Sequence, residues 1–130
     1  MNTQAYVTGL GHIGIPTKDI AGTIRFYESL GFTLVHETMN PQTGEKVVFL
    51  WLAGVTVETY ESAEVAGCNG GVDHLALAVD DIETAFKQAV EEGYHLLDNE
   101  IQFMPFWEKG TRFFTLLGPN HEKIEFAQIL

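Results

Sequence analysis

The sequence predicts an α+β fold made of two βαβββ modules, and three observations carry that prediction. The first is an internal repeat: HIGIPTKDIAGTIRFYESLGF, from His12, aligns without a gap on HLALAVDDIETAFKQAVEEGY, from His74. His12 falls on His74, Asp19 on Asp81, Ile20 on Ile82, Gly31 on Gly93 and Phe32 on Tyr94, each 62 positions apart. Repetition of this kind sets the architecture ahead of any local reading. The second is that each copy passes from a hydrophobic period of two to one near 3.6, as where a strand feeds a helix. The third is that three more strand-like segments, parted by turn-forming residues, follow each helix.

In the first module a strand is read around His12, where Ile13 and Ile15 alternate with His12 and Gly14. The helix after it puts Ile20, Ile24, Tyr27 and Leu30 on one stripe. Asp19 or Lys18 stands at its N-cap, and Gly31 supplies the stop. Strands are then predicted over residues 32–37, 46–52 and 55–61, divided by the turn-rich residues 40–44 and by Ala53-Gly54. Residues 62–71 form a small, polar, Gly-containing linker. About ten residues reach roughly 33 Å when extended. The modules, residues 8–61 and 72–130 of one domain spanning 1–130, can therefore pair within a chain or exchange with a second chain.

The second module repeats the order. Leu75, Leu77 and Val79 alternate with His74, Ala76 and Ala78 in its first strand. Ile82, Ala85, Phe86 and Ala89 form the helix stripe, with Asp80 or Asp81 at the N-cap, Glu83 in the first turn and Gly93 at the stop. Strands follow over residues 94–97, 112–117 and 123–129. A longer loop, residues 102–110, holds Met104, Pro105, Phe106 and Trp107, and Gly118-Pro119-Asn120 makes the last turn.

Composition narrows the partners. The chain has 130 residues, 45% of them hydrophobic, which suits one domain able to bury about two-thirds of its unfolded surface. Its net charge of -11 repels phosphate backbones and anionic lipid, so neither nucleic acid nor a membrane surface is an expected partner. The longest apolar run, from Val47 to Val55, is about half of what a bilayer span needs. The amino-terminal MNTQAYVTGLGH lacks the basic flank and apolar core of a signal peptide. Cys68, the single cysteine, has no internal disulfide partner. A cytoplasmic protein is expected, and any metal site must use nitrogen and oxygen ligands.

Strand alternation then sorts the side chains by face. Ile13, Ile15, Leu75, Leu77, Val79, Ile124 and Phe126 point toward the helices, leaving His12, His74 and Glu125 on the opposite face. Gly14, Ala76, Ala78 and Ala127 flank them, and small neighbours leave the space of a cleft. Glu58 alternates with Val55 and Val57 and so occupies in module one the place of Glu125 in module two. Glu58 lies 46 residues after His12, and Glu125 lies 51 after His74. Glu61 has the valines' parity and is read as a surface residue, and His36, His95 and His121, without counterparts under the repeat, as surface or turn histidines. A lone strand histidine is most often structural. Two imidazoles and two carboxylates at duplicated positions point instead to a metal such as Zn, Ni, Co, Fe or Mn.

These residues resemble the vicinal oxygen chelate superfamily, which contains glyoxalase I, methylmalonyl-CoA epimerase, extradiol dioxygenases, fosfomycin-modifying enzymes and bleomycin-sequestering proteins. The resemblance runs from Leu10 to Gln128 and is carried by GHIGIPTKDIAGTIRFYESLGF, VTVETYE, VDHLALAVDDIETAF and LLGPNHEKIEFAQ. The last is similar to the family's closing Gly-Pro-Asp-Gly turn and the strand bearing its final glutamate. The resemblance implies a curved half-barrel cleft and His12, Glu58, His74 and Glu125 as ligands of a divalent metal ion, Ni, Zn or Co. Two carboxylates match glyoxalase I (lactoylglutathione lyase), whereas dioxygenases and fosfomycin enzymes usually take two His and one Glu.

The implied activity is conversion of a 2-oxoaldehyde-thiol hemithioacetal into a 2-hydroxyacyl thioester, by proton transfer through an enediolate whose oxygens a metal holds. Glu125 is the first choice of base and Glu58 the second. Met104, Phe106 and Trp107 wall the substrate's apolar side or form a subunit contact, and a homodimer is expected by resemblance. Two alternatives stay open: a methylmalonyl-CoA epimerase-like enzyme, and a non-catalytic protein that sequesters a small molecule or antibiotic on Trp51, Trp107 and the nine Phe.

Overall fold

The computed structural model describes residues 7–10, 12–70 and 72–130. The first six residues of the stretch considered above as a leader, Gly11, and Gly71 at the end of the linker lie outside the described residues. The chain divides into two compact units between Val65 and Ala66, inside the predicted linker. No helix among the described residues is long and apolar enough to cross a membrane.

Unit one contains β1 (Ile13–Thr17), α1 (Ile20–Ser29), β2 (Thr33–Met39), β3 (Lys46–Leu52) and β4 (Val55–Glu61). Its sheet runs β1-β4-β3-β2, with β1 parallel to β4 and the other pairs antiparallel. Unit two contains β5 (His74–Ala78), α2 (Ile82–Glu91), β6 (His95–Leu96), β7 (Gln102–Met104), β8 (Thr111–Leu117) and β9 (Lys123–Ile129). Here β5 is parallel to β9, β9 pairs with β8, and both β6 and β7 pair with β8. The α+β class and the doubled order follow the sequence, with one correction. Residues 102–104, expected in a loop, form β7, and the expected strand over 94–97 shrinks to the two residues of β6. The counterpart of β2 is thus split in two along one edge of β8. Between the pieces, Leu97 N donates to Thr115 O at 2.8 Å and Thr115 N donates to Asp98 Oδ2 at 2.7 Å, so a side chain continues the ladder.

The repeat's shared residues mark the helix ends. Asp19 Oδ1 accepts from Gly22 N at 2.9 Å and Asp81 Oδ1 from Thr84 N at 3.0 Å, so these two aspartates, not Lys18 or Asp80, are the N-caps. At the C-terminal end of α1, Gly31 N donates to Glu28 O and Phe32 N to Tyr27 O, each at 3.0 Å. Gly93 N to Val90 O and Tyr94 N to Ala89 O repeat this pair in α2. Together they form a Schellman motif, whose penultimate residue needs the left-handed backbone that glycine adopts without strain; φ is 98° at Gly31 and 74° at Gly93. The aromatic that follows belongs to the cap. Phe32 is buried edge-on against Tyr27, with ring centroids 5.2 Å apart, and β2 therefore starts at Thr33 rather than at residue 32.

The core of each unit lies between helix and sheet. Tyr27, Val48, Leu50 and Val57 are fully buried in unit one, and Ile82, Phe114, Leu116 and Ile124 are buried in unit two. Phe114 stacks on Phe126 at 5.0 Å, and Phe86 meets Phe114 edge-on at 5.2 Å. The α1 stripe departs from the expected one: Thr23 is fully buried and Ile24 only half-buried. The reason is polar. Thr23 Oγ1 lies 3.0 Å from the buried Thr17 Oγ1 and donates to Asp19 O at 2.9 Å, which satisfies a hydroxyl that hydropathy alone leaves outside.

Candidate metal centre

In unit one, the parallel register sets Gly14 beside Glu58, while Ile13 and Ile15 lie beside the fully buried Val57 and Thr59. Glu58 therefore faces away from the helix, as alternation predicts. The His12 imidazole sits on the same face, with Nε2 2.9 Å from Glu58 Oε2. Gly14 keeps this corner open: a β-carbon there would stand 4.0 Å from Glu58 Oε2 and 3.8 Å from the Tyr60 ring.

The row continues across the sheet. Phe49 is opposite Glu58, and its ring meets His12 edge-on at 5.8 Å. His36 is opposite Phe49, with rings 5.9 Å apart. His36 is exposed, as expected, but it shares the ligand face. It does so because the β2–β3 register shifts between Leu34 and His36, and the extra residue turns the following side chain over.

In unit two, Ala76 lies beside Glu125 and His74 beside Lys123. His74 Nε2 is 3.8 Å from Glu125 Oε2, and its Nδ1 is 2.9 Å from Asp73 Oδ2. Asp73, His74, Leu97, Asp98, Thr115, Lys123 and Glu125 line a shallow pocket. Asp73 and Lys123 are the site residues that sequence reasoning missed. Lys123 Nζ approaches Asp73 Oδ1 at 3.1 Å, and Asn69 Nδ2 donates to the same oxygen. The hydrogen bond from His74 and then that from Lys123 hold the Asp73 carboxyl below the ordinary carboxylate range. The available signal was a carboxylate directly before the second repeated histidine, where the first copy has Gly11.

The donor set suits a divalent ion. Imidazole nitrogen and carboxylate oxygen are donors that divalent ions such as zinc take, and His12 Nε2 and Glu58 Oε2 bring one of each to 2.9 Å. The second pair, at 3.8 Å, is wider but joins the same two donor types. Within either unit the described residues present these donors as pairs, with no group of three or more. Glu61 is occupied elsewhere, accepting from Lys46 N at 3.0 Å. Arg112 is drawn to the helix side by Glu83, and Arg25 is exposed on α1. Met104, Phe106 and Trp107 are all exposed on unit two, with Trp107 at φ 61°.

Comparison with known proteins follows the same lines. The family profile described as Glyoxalase/Bleomycin resistance protein/Dioxygenase superfamily matches residues 9–126. The uncharacterized protein YwbC of Bacillus subtilis (strain 168) is 32% identical over 126 residues, covering 92% of this chain and 96% of its own. A glyoxalase family protein from Enterococcus faecalis superposes with a TM-score of 0.78 at 22% identity, over 92% of this chain and 97% of the other. The fosfomycin resistance protein FosX from Listeria monocytogenes, solved with Mn(II) and sulfate, superposes with a TM-score of 0.71 at 14% identity, over 95% and 94%. These likenesses establish the fold.

Proposed function

From the premise that the chain belongs to the Glyoxalase/Bleomycin resistance protein/Dioxygenase superfamily, we propose that it is a metal-dependent lyase of the glyoxalase I type. Its substrate is the hemithioacetal of a 2-oxoaldehyde and a thiol, and its product is the isomeric 2-hydroxyacyl thioester. The observation that carries this reading is the recurrence of a His–Glu pair at equivalent places in both units, His12 with Glu58 and His74 with Glu125. His12, Glu58, His74 and Glu125 would be the ligands of a divalent ion, Ni, Zn or Co. When bound, such an ion stabilises the negative charge that develops on the substrate's adjacent oxygens.

The chain's own residues move the proton. A carboxylate of ordinary pKa, about 4.3, is too weak a base for an unassisted carbon acid, so it must act where that charge is stabilised. Glu125 takes the proton from one carbon and returns it to the neighbouring one, and no oxidant or reductant is consumed. Glu58 is the second carboxylate able to do so. Met104, Phe106 and Trp107 close the apolar side and keep water from the carbanionic carbon, and two copies of the chain assemble as a homodimer. FosX is a relative in fold that was solved with Mn(II), which supports a divalent ion on this scaffold.

The test is turnover of methylglyoxal with glutathione and with other thiols, by metal-free protein reconstituted separately with nickel, cobalt and zinc. Thioester formation with at least one ion is expected. Protein that binds the ions and forms no thioester with any thiol refutes the lyase, and turnover of a CoA thioester in its place would identify an epimerase.

A further inference from the structure

We propose that Asp73 is a positioning residue for His74, fixing the imidazole as the Nδ1–H tautomer and aiming Nε2 at the ion. The inference rests on the metal-site reading above and gives the two histidines unequal parts. A neutral imidazole carries one ring proton. The contact from Nδ1 to Asp73 Oδ2, at 2.9 Å, has hydrogen-bond length, whereas Nε2 to Glu125 Oε2, at 3.8 Å, does not. The proton therefore belongs on Nδ1, where an ionised carboxylate can only accept, and the Nε2 lone pair is left on the side of Glu125.

Asp73 can hold a ring in place because it is itself held. Its second oxygen accepts from Lys123 Nζ at 3.1 Å and from Asn69 Nδ2. Lys123 is the register partner of His74 across β5 and β9, so the anchor and the ring stand on one row of the sheet. A carboxylate on the far nitrogen of a metal-bound histidine fixes its orientation and raises its basicity, and removing one typically weakens metal binding by about 10–100-fold. The other histidine has no such device at the matching position, since Gly11, which precedes His12, carries no side chain. His74 is thus the pre-oriented nitrogen ligand.

The experiment uses the untagged 130-residue chain in wild-type, Asp73→Ala and Asp73→Asn forms. Affinity for Zn(II), Ni(II) and Co(II) is measured by calorimetric titration. The His74 tautomer is read from ring nitrogen shifts by NMR, in metal-free protein at alkaline pH. Wild type is expected to show Nδ1–H, and D73A to lose that preference and bind metal about 10–100-fold more weakly. D73N, whose amide oxygen still accepts from Nδ1–H, is expected to keep the tautomer and recover part of the affinity. The proposal is overturned by an Nε2–H tautomer in wild type, or by a folded D73A or D73N that matches wild type in affinity while losing the tautomer. Wild-type protein that binds none of the ions defeats the metal reading instead, and the tautomer, measured without metal, then still decides whether Asp73 orients the ring.

Discussion

The carboxylate of Glu122 packs so closely under Gly118 that a β-carbon at residue 118 would overlap its Oε1. Gly118 N donates to Glu122 O at 2.8 Å and Asn120 N to Glu122 Oε1 at 3.2 Å, closing the turn that delivers Lys123 and Glu125 to β9. Gly118→Ala is expected to push the Glu122 side chain out and cost about 1–2 kcal/mol, through the lost hydrogen bond and local repacking. Most of that cost should vanish when Glu122 is already Ala. Denaturant unfolding of the four proteins in a double-mutant cycle measures this coupling, and additive effects would show that the two residues do not compete for the space.

Glu122 also gives a pH signature. Its Oε2 is buried and meets no hydrogen-bond partner among the described residues, and burial pushes its carboxyl above the ordinary carboxylate value against the pull of Asn120. With the folded pKa above the unfolded one, its contribution to stability is complete below the unfolded value and is lost as pH rises through the folded one. Glu122→Gln keeps the acceptor and removes the charge, so it escapes that loss. Thermal unfolding is expected to show the variant gaining on wild type between acid pH and neutrality. A difference that stays constant with pH contradicts this.

His121 occupies the left-handed region, at φ 61°, where the resembling family turn carries glycine. A side chain there costs roughly 1–2 kcal/mol, of which part is returned by the lower entropy of the unfolded chain. His121→Gly is therefore expected to stabilise the protein by about 0.5–1 kcal/mol at neutral pH. A lower denaturation midpoint for the variant would mean that the imidazole makes a compensating contact.

The two carboxylates should separate kinetically. If Glu125 is the base, Glu125→Gln lowers kcat by about 10²–10⁴, the usual worth of general base catalysis, even in protein saturated with metal. Glu58→Gln should act more on metal affinity than on kcat. Reversal of the two patterns in steady-state assays would exchange their roles.

Much of this was legible in the sequence, and the part that was not has identifiable causes. Strands β3, β4 and β9 lie where alternation and turn residues placed them, and the His12, Glu58, His74 and Glu125 faces follow from a period of two. The repeated Asp-Ile and Gly-aromatic pairs proved to be caps: Asp19 and Asp81 begin the helices, and Phe32 and Tyr94 complete their final turns. What escaped depends on a partner remote in sequence. Thr23 is buried because of Thr17, β7 exists because β8 offers an edge, and His36 joins the Glu58 row through a bulge set against β3. Asp73 was adjacent in sequence to His74, but its role appears only once Lys123 and Asn69 are seen to hold it.

The proposal that His12, Glu58, His74 and Glu125 are ligands of a divalent ion is tested most directly by equilibrium titration of metal-free, untagged protein with Zn(II), Ni(II) and Co(II), in wild type and in His12→Ala, Glu58→Gln, His74→Ala and Glu125→Gln. The expected result is one ion per chain in wild type and a marked loss of affinity in all four variants, two from each unit. Wild-type stoichiometry and affinity retained by both variants of either unit would contradict it.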